Sequence, residues 1–117
     1  MAMPDDFHAH LRRGPPMPAY ARRHALSFGR ALAMPNTIPP IASGTAVAAY
    51  RAEIAAAFQA RAAFVPLFAF KLLPGMSADT VRACAAAGAV AGKYYPAGST
   101  TNAADGLSDP SDAKDAL

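Results

Sequence analysis

Several features are scarce in this 117-residue sequence, and each scarcity excludes a class of protein. Cys84 is the single cysteine, so an internal disulfide is impossible and the composition fits a reducing compartment. No apolar run approaches the roughly 20 residues that span a bilayer. The N-terminal residues also lack the apolar segment of a signal peptide. We therefore expect a cytoplasmic protein with no membrane partner.

Charge is also sparse. Charged residues make up 16% of the chain and the net charge is +3. The arginines crowd into the first third, but no basic run alternates with aromatic residues as a nucleic-acid groove would require. We expect no nucleic-acid partner, with the arginines on solvated helix faces or binding small anions. Apolar residues, at 53%, suffice for the core of one domain.

Apolar, strand-like segments alternate with helix-like segments along the whole chain. Strands are predicted at residues 3–10, 30–34, 64–70 and 89–93, and helices at residues 19–28, 45–61, 77–87 and 110–117. The alternation predicts an α/β fold with a parallel sheet, either doubly wound or a (β/α) barrel. A whole barrel needs about 200 residues or more, so four units are half of one. We expect residues 1–117 to be a single partial domain, truncated within the fourth helix.

Local signals refine these elements. The second helix carries apolar residues at spacings of three or four, which predicts a buried stripe of Val47, Tyr50, Ile54 and Phe58. Pro66 cannot donate to a ladder, so a bulge or local edge is expected in the third strand. Asp109 followed by Pro110 is typical of a helix start. Cys84 is interpreted as a small buried residue and not as a nucleophile.

His8 and His10 are the first candidate functional residues. On a strand, side chains at i and i+2 point to the same face, about 7 Å apart along the chain. Two neutral imidazoles oriented in this way can share one metal ion, and imidazole suits zinc. The alternative is a pair of ordinary core or loop histidines. Asp5 and Asp6 either orient these histidines or simply start the strand.

Other polar residues follow the predicted strands at their carboxyl ends, where parallel α/β folds bind ligands. Asn36 follows the second strand and Lys93 ends the fourth, so both should converge with the histidines on one face. This convergence favours a metal site. Each residue also has a plain alternative, since Asn36 lies in a proline-rich turn and Lys93 could be solvated. His24 is expected at the surface of the first helix.

Three segments resemble, in order, the N-terminal motifs of dihydroorotases. They are residues 4–12 (PDDFHAHLR), 29–36 (GRALAMPN) and 93–102 (KYYPAGSTTN). The resemblance is to the shorter, bacterial class II form within the amidohydrolase superfamily. The third segment is the most specific, because other amidohydrolases share the His-x-His motif but not this loop. The resemblance covers the whole chain and implies the N-terminal half of a (β/α)8 TIM-type barrel.

The resemblance also implies a reaction and its cofactors. Dihydroorotases interconvert L-dihydroorotate and N-carbamoyl-L-aspartate in pyrimidine biosynthesis, with two zinc ions in the intact site. His8 and His10 would be zinc ligands. Lys93, carboxylated by CO2, would supply a carbamate that bridges the two metals. Phe7 departs from the family pattern, which frequently has tryptophan at this position.

The remaining implied roles concern substrate. Arg12 and Asn36 match residues that hold the substrate carboxylate, and Thr100 and Thr101 match the active-site loop. Two further histidine ligands and the general-base aspartate would lie beyond Leu117, so no catalytic residue is expected in this chain and the fragment alone should be inactive. A homodimer is expected for the full-length enzyme. The alternatives are another cyclic-amide hydrolase, of the allantoinase or hydantoinase type, or a non-catalytic fragment.

Overall fold

Strands and helices alternate through residues 3–58 and 63–116, which the computed structural model describes. The elements are β1 (Asp5–Ala9), α1 (Met17–Ser27), β2 (Arg30–Ala33), α2 (Gly44–Phe58), β3 (Val65–Lys71), α3 (Ala78–Ala86), β4 (Ala89–Lys93) and a short 3₁₀ helix (Pro110–Ala116). In this part of the chain, no helix is long and apolar enough to cross a membrane.

The four strands form one parallel sheet in the order β1-β2-β3-β4. Each strand therefore lies beside the one that follows it in the chain. A doubly wound sheet reverses its strand order at a switch point, whereas a barrel keeps neighbours in sequence. The sheet thus has the arrangement of the first four units of a (β/α)8 barrel, and the predicted α/β class is confirmed.

The core lies between the helices and one face of the sheet, and α2 contributes most to it. Ser43 caps this helix, because its Oγ accepts a hydrogen bond from the Ala46 N–H at 3.2 Å. The predicted stripe is buried at Val47, Tyr50 and Ile54. The Phe58 side chain and the predicted end of this helix at residue 61 lie outside the described residues.

The fourth helix was predicted with the correct start but not the correct type. It begins at Pro110, and Asp109 Oδ1 accepts the Ser111 N–H at 2.8 Å, as a cap would. The segment is nevertheless a 3₁₀ helix with non-helical dihedral angles at Ala113 (φ −112°, ψ 18°). A segment of 7 residues is too short for a self-supporting α-helix, and the kink at Ala113 divides it into two short pieces, the length in which the 3₁₀ helix is common.

The third strand differs from its prediction at its carboxyl end. Pro66 pairs with Ala31 of β2, while the ladder to β4 starts only at Phe68, so Pro66 faces a local edge as expected. The register shifts between Phe68 and Ala69. The strand continues to Lys71, one residue beyond the predicted end. A lysine therefore occupies the carboxyl end of the third strand.

Candidate active site

His8 and His10 lie at the carboxyl end of β1 and share one face of the strand. Ala9 and Leu11, which alternate with them, are buried in the core against the helices. The centres of the two imidazole rings are 5.1 Å apart. Two ring nitrogens at this separation can reach one zinc ion at the usual Zn–N distance of about 2.0–2.1 Å.

Lys93 lies at the carboxyl end of β4 and lines the same cavity as the two histidines, with a volume of about 240 Å³. Ser99 and Thr100 also line it. β1 and β4 are the two outer strands of the sheet, so a flat sheet would hold their ends well apart. Their meeting at one cavity shows that the sheet curls strongly, as a barrel wall does.

The donor set at this cavity fits part of a zinc centre. Two imidazoles supply two ligands, but a lysine ammonium group has no lone pair to donate. No cluster of three His, Cys, Asp or Glu side chains suited to a metal occurs among residues 3–58 and 63–116. Carboxylation of Lys93 would turn that side chain into an anionic oxygen ligand and bring the number of ligands here to three.

The pKa of His10 lies below its ordinary value of 6.5, mainly because the ring is partly buried. The positive charge of Arg12 lowers this pKa further, as does the neighbouring His8. A hydrogen bond with Asn36 and the charge of Asp6 raise the pKa, but by less. His10 is therefore neutral at pH 7, and one ring nitrogen has a lone pair that a metal can use.

Replacing Arg12 with glutamine is expected to raise the pKa of His10, because the substitution removes a nearby positive charge. An NMR titration of the His10 ring protons in the 117-residue chain measures this change. Arg23→Gln, on the exposed face of α1, removes the same charge at a distance and should leave the pKa of His10 unchanged. An unchanged or lower pKa in the Arg12 variant would contradict this electrostatic account.

The lowered pKa of His10 also makes the stability of the fold depend on pH. The unfolded chain binds the proton more tightly, at the ordinary pKa of 6.5. The contribution of His10 to stability is therefore fully present above pH 6.5 and is lost as the pH falls towards the lower folded-state pKa.

A second cavity, of about 200 Å³, is lined by Arg12, Arg13, Asn36, Thr37, Ile38 and Asn102. In the part of the chain that the structure describes, Arg12 (φ 62°) and Asn102 (φ 57°) are the residues other than glycine with positive φ. Such dihedral angles are costly for side chains with a Cβ, and they concentrate at functional sites. An arginine guanidinium can hold a carboxylate through two parallel hydrogen bonds.

Asn36 connects this cavity to the loop after β4. This residue is 2% exposed. Asn36 Nδ2 donates to the Thr101 carbonyl oxygen at 2.9 Å, and Asn102 Nδ2 donates to the Asn36 carbonyl oxygen at 2.9 Å. The predicted residues thus fall around two cavities. His8, His10, Lys93 and Thr100 line the first, Arg12 and Asn36 line the second, and Thr101 contacts Asn36 through its backbone.

The two aspartates near His8 and His10 support the strand and form no hydrogen bond with the rings of these two histidines. Asp6 Oδ1 accepts the backbone N–H of His8 at 2.8 Å, and Asp6 Oδ2 lies 3.1 Å from His24 Nε2. His24 is therefore partly buried and paired, where an exposed residue was expected. Asp5 forms an ion pair with Arg30 of β2.

The structure also contains a cluster that was not predicted from the sequence: Lys71, Tyr95 and Asp105. The Lys71 side chain is completely buried and pairs with Asp105, and its ammonium group lies 5.4 Å from the centre of the Tyr95 ring. The strand-end rule that selected Lys93 would also have selected Lys71. The predicted strand stopped at residue 70 and left this lysine in the following loop.

Comparison with known proteins identifies similar sequences, although no protein-family model matches the chain. The chain is 44% identical over 106 residues to a dihydroorotase from Teredinibacter turnerae, covering 91% of this chain and 31% of that protein. A dihydroorotase from Cereibacter sphaeroides is 46% identical over 107 residues, with the same coverage of 91% and 31%. The chain thus spans about a third of the length of these curated relatives.

Solved structures show the same similarity. Dihydroorotase from Campylobacter jejuni has a TM-score of 0.86 at 31% identity, covering 98% of this chain and 34% of that one. Dihydroorotase from Saccharomyces cerevisiae, in complex with 5-fluoroorotic acid, has a TM-score of 0.80 at 27% identity, with coverages of 91% and 29%. An L-hydantoinase from Arthrobacter aurescens shares the fold, with a TM-score of 0.71 at 20% identity. In sequence and in fold, the chain is similar to the N-terminal third of dihydroorotases.

Proposed function

We propose that this chain forms the first part of a dihydroorotase active site, which interconverts L-dihydroorotate and N-carbamoyl-L-aspartate. The observation that carries the proposal is the meeting of His8, His10 and Lys93 at one cavity. The sequence similarity to dihydroorotases supports it, at 44% identity over 91% of the chain. The cytoplasmic location and the homodimer expected for the intact enzyme remain predictions.

His8, His10 and a carboxylated Lys93 would hold zinc, of which the intact site would contain two ions. Bound zinc would act as a Lewis acid and lower the pKa of a coordinated water to about 7. The modification of Lys93 has a physical reason, since an ammonium group beside two dications is disfavoured and CO2 converts the neutral amine into an anionic ligand. The neutral state of His10 at pH 7 suits the same role.

Arg12 and Asn36 would bind the carboxylate of the substrate in the second cavity. The guanidinium of Arg12 supplies charge and two parallel donors, and the buried amide of Asn36 fixes one wall of the cavity. The loop with Thr100 and Thr101 lies beside both cavities. Lying over a bound substrate, this loop would exclude water from the reacting groups.

A chimeric enzyme tests the proposal. Residues 1–117 replace the matching segment of the Teredinibacter turnerae dihydroorotase, and the product is loaded with zinc and bicarbonate. We expect the chimera to interconvert dihydroorotate and carbamoyl aspartate. The 117-residue chain alone and the C-terminal remainder alone should not, because each would lack part of the metal shell.

Two results would overturn this assignment. The first is a folded, zinc-loaded chimera that fails to convert dihydroorotate while the parent enzyme converts it. The second is a chimera that prefers hydantoins or allantoin, which lack a carboxylate for Arg12. Circular dichroism and the zinc content establish that the chimera is folded and loaded before either result is interpreted.

A further inference from the structure

Lys71 is a buried charge whose hydrogen-bonding and ionic partners lie on one loop. Its side chain is 0% exposed at the end of β3. The ammonium group donates to the Asn102 carbonyl oxygen at 2.7 Å, forms an ion pair with Asp105 and faces the Tyr95 ring. A buried ammonium group is costly unless it is paired and hydrogen-bonded. These contacts meet that need, and they tie residues 95, 102 and 105 to one point on the sheet.

The loop that Lys71 contacts, residues 94–107, also reaches the second cavity. Asn102 links the two regions, because its carbonyl oxygen accepts from Lys71 while its side chain donates to the Asn36 carbonyl oxygen. Asn102 has a left-handed backbone conformation, which needs support from its surroundings. Asn36 in turn donates a hydrogen bond from its side-chain Nδ2 to the Thr101 carbonyl oxygen.

We propose that Lys71 is a positioning residue whose buried ammonium group fixes the 94–107 loop against the end of β3. Through Asn102 it holds the loop backbone where Thr101 meets Asn36. The order of the loop is a property of this chain and can be tested without any assumption about catalysis. Only its consequence for substrate binding rests on the proposed function.

Lys71 is buried and Asp105 is partly exposed, so substitutions at the two residues should affect the stability of the fold differently. Asp105 is 46% exposed, so Lys71→Met leaves a carboxylate that water can solvate. The methionine fills a similar space with apolar atoms, and replacing a buried ion by an apolar group is often neutral for the whole fold. Asp105→Ala instead leaves an ammonium group buried without its counter-ion. We expect Lys71→Met to loosen the loop alone, and Asp105→Ala to loosen the loop and also lower the melting temperature.

Hydrogen exchange of the 117-residue chain, read by mass spectrometry, measures loop order. The reporting amides are Gly98, which donates to the Ala103 carbonyl oxygen, and Leu107, which donates to the Tyr95 carbonyl oxygen. In both variants we expect their exchange to be at least about tenfold faster, while peptides from α2 keep their protection in Lys71→Met. Lys114→Met and Asp115→Ala are matched controls on the exposed part of the 3₁₀ helix and should leave loop exchange unchanged.

A variant that carries both Lys71→Met and Asp105→Ala tests whether the two residues act on the loop together or independently. If Lys71 acts through Asp105, combining the two substitutions should add little to the loop exchange seen with Lys71→Met alone. Unchanged loop exchange in both single variants would overturn the proposal, as would fully additive effects. If Lys71→Met keeps a folded circular dichroism spectrum but α2 exchanges as much faster as the loop does, Lys71 has a general structural role and the proposal is also overturned. If Lys71→Met fails to fold, the exchange of Asp105→Ala against Asp115→Ala decides.

Discussion

Alanine at His8 or at His10 is expected to lower the kcat/KM of the zinc-loaded chimera by at least about a thousandfold. Zinc acting as a Lewis acid contributes several kcal/mol to transition-state stabilisation, and each 1.36 kcal/mol corresponds to a factor of ten in rate. The centres of the two imidazole rings lie 5.1 Å apart, so either substitution leaves a single imidazole to bind zinc at this end of the cavity. Loss of bound zinc should accompany the loss of activity, and elemental analysis of the purified variants measures it.

His24 supplies the matched control for this experiment. It is the third histidine of the chain, it lies on α1 and does not line the cavity, and its ring pairs with Asp6 of β1 at 3.1 Å. A partly exposed pair of this kind is worth at most about 1 kcal/mol, so His24→Ala should change kcat/KM by no more than about fivefold and should retain zinc. If His8→Ala or His10→Ala keeps its zinc and its activity, the metal-ligand assignment is wrong.

The second large effect concerns the core. Ile54→Ala is expected to lower the free energy of unfolding of the 117-residue chain by about 2–5 kcal/mol. Ile54 is 0% exposed in the stripe by which α2 faces the sheet. The substitution removes the favourable free energy of transferring the outer side-chain atoms from water into the core. It also leaves a cavity that the close-packed surroundings fill only in part. Urea unfolding followed by circular dichroism measures the change.

Leu26→Ala is the matched control, since it also shortens an aliphatic side chain on a helix. Leu26 lies on α1 and is 82% exposed, so its substitution should change the free energy of unfolding by no more than about 0.5 kcal/mol. Equal losses for the two variants would contradict the placement of the core between α2 and the sheet. A loss below about 1 kcal/mol for Ile54→Ala would contradict it as well.

Much of the fold could be predicted from the sequence because the signals were local. The apolar spacing of Val47, Tyr50 and Ile54 depends only on the helical repeat, and those residues are buried as predicted. The strand at residues 89–93 has its predicted bounds. The 3₁₀ helix after Asp109 could not be distinguished from an α-helix, since a capping pattern marks where a helix starts and not how tightly it winds.

Some residues of the candidate site could likewise be predicted from the sequence, and others could not. His8 and His10 were selected by a two-residue spacing and Lys93 by its place at a strand end, and both are features of the chain itself. The Lys71–Asp105 pair joins residues 34 positions apart, and the Asp6–His24 pair joins residues 18 apart. Spacing rules within one helix or strand do not reach across such separations, so the sequence contained no sign of either pair.

The sequence by itself determined the order of the elements, the buried stripe of α2 and the bounds of the strand at residues 89–93, because each depends on a local repeat or a local breaker. Only the tertiary structure decided that the ends of β1 and β4 meet at one cavity, since that requires the sheet to curl. It also decided that Lys71 is buried beneath the 94–107 loop. Both outcomes depend on contacts between distant segments, which form only when the whole sheet has assembled.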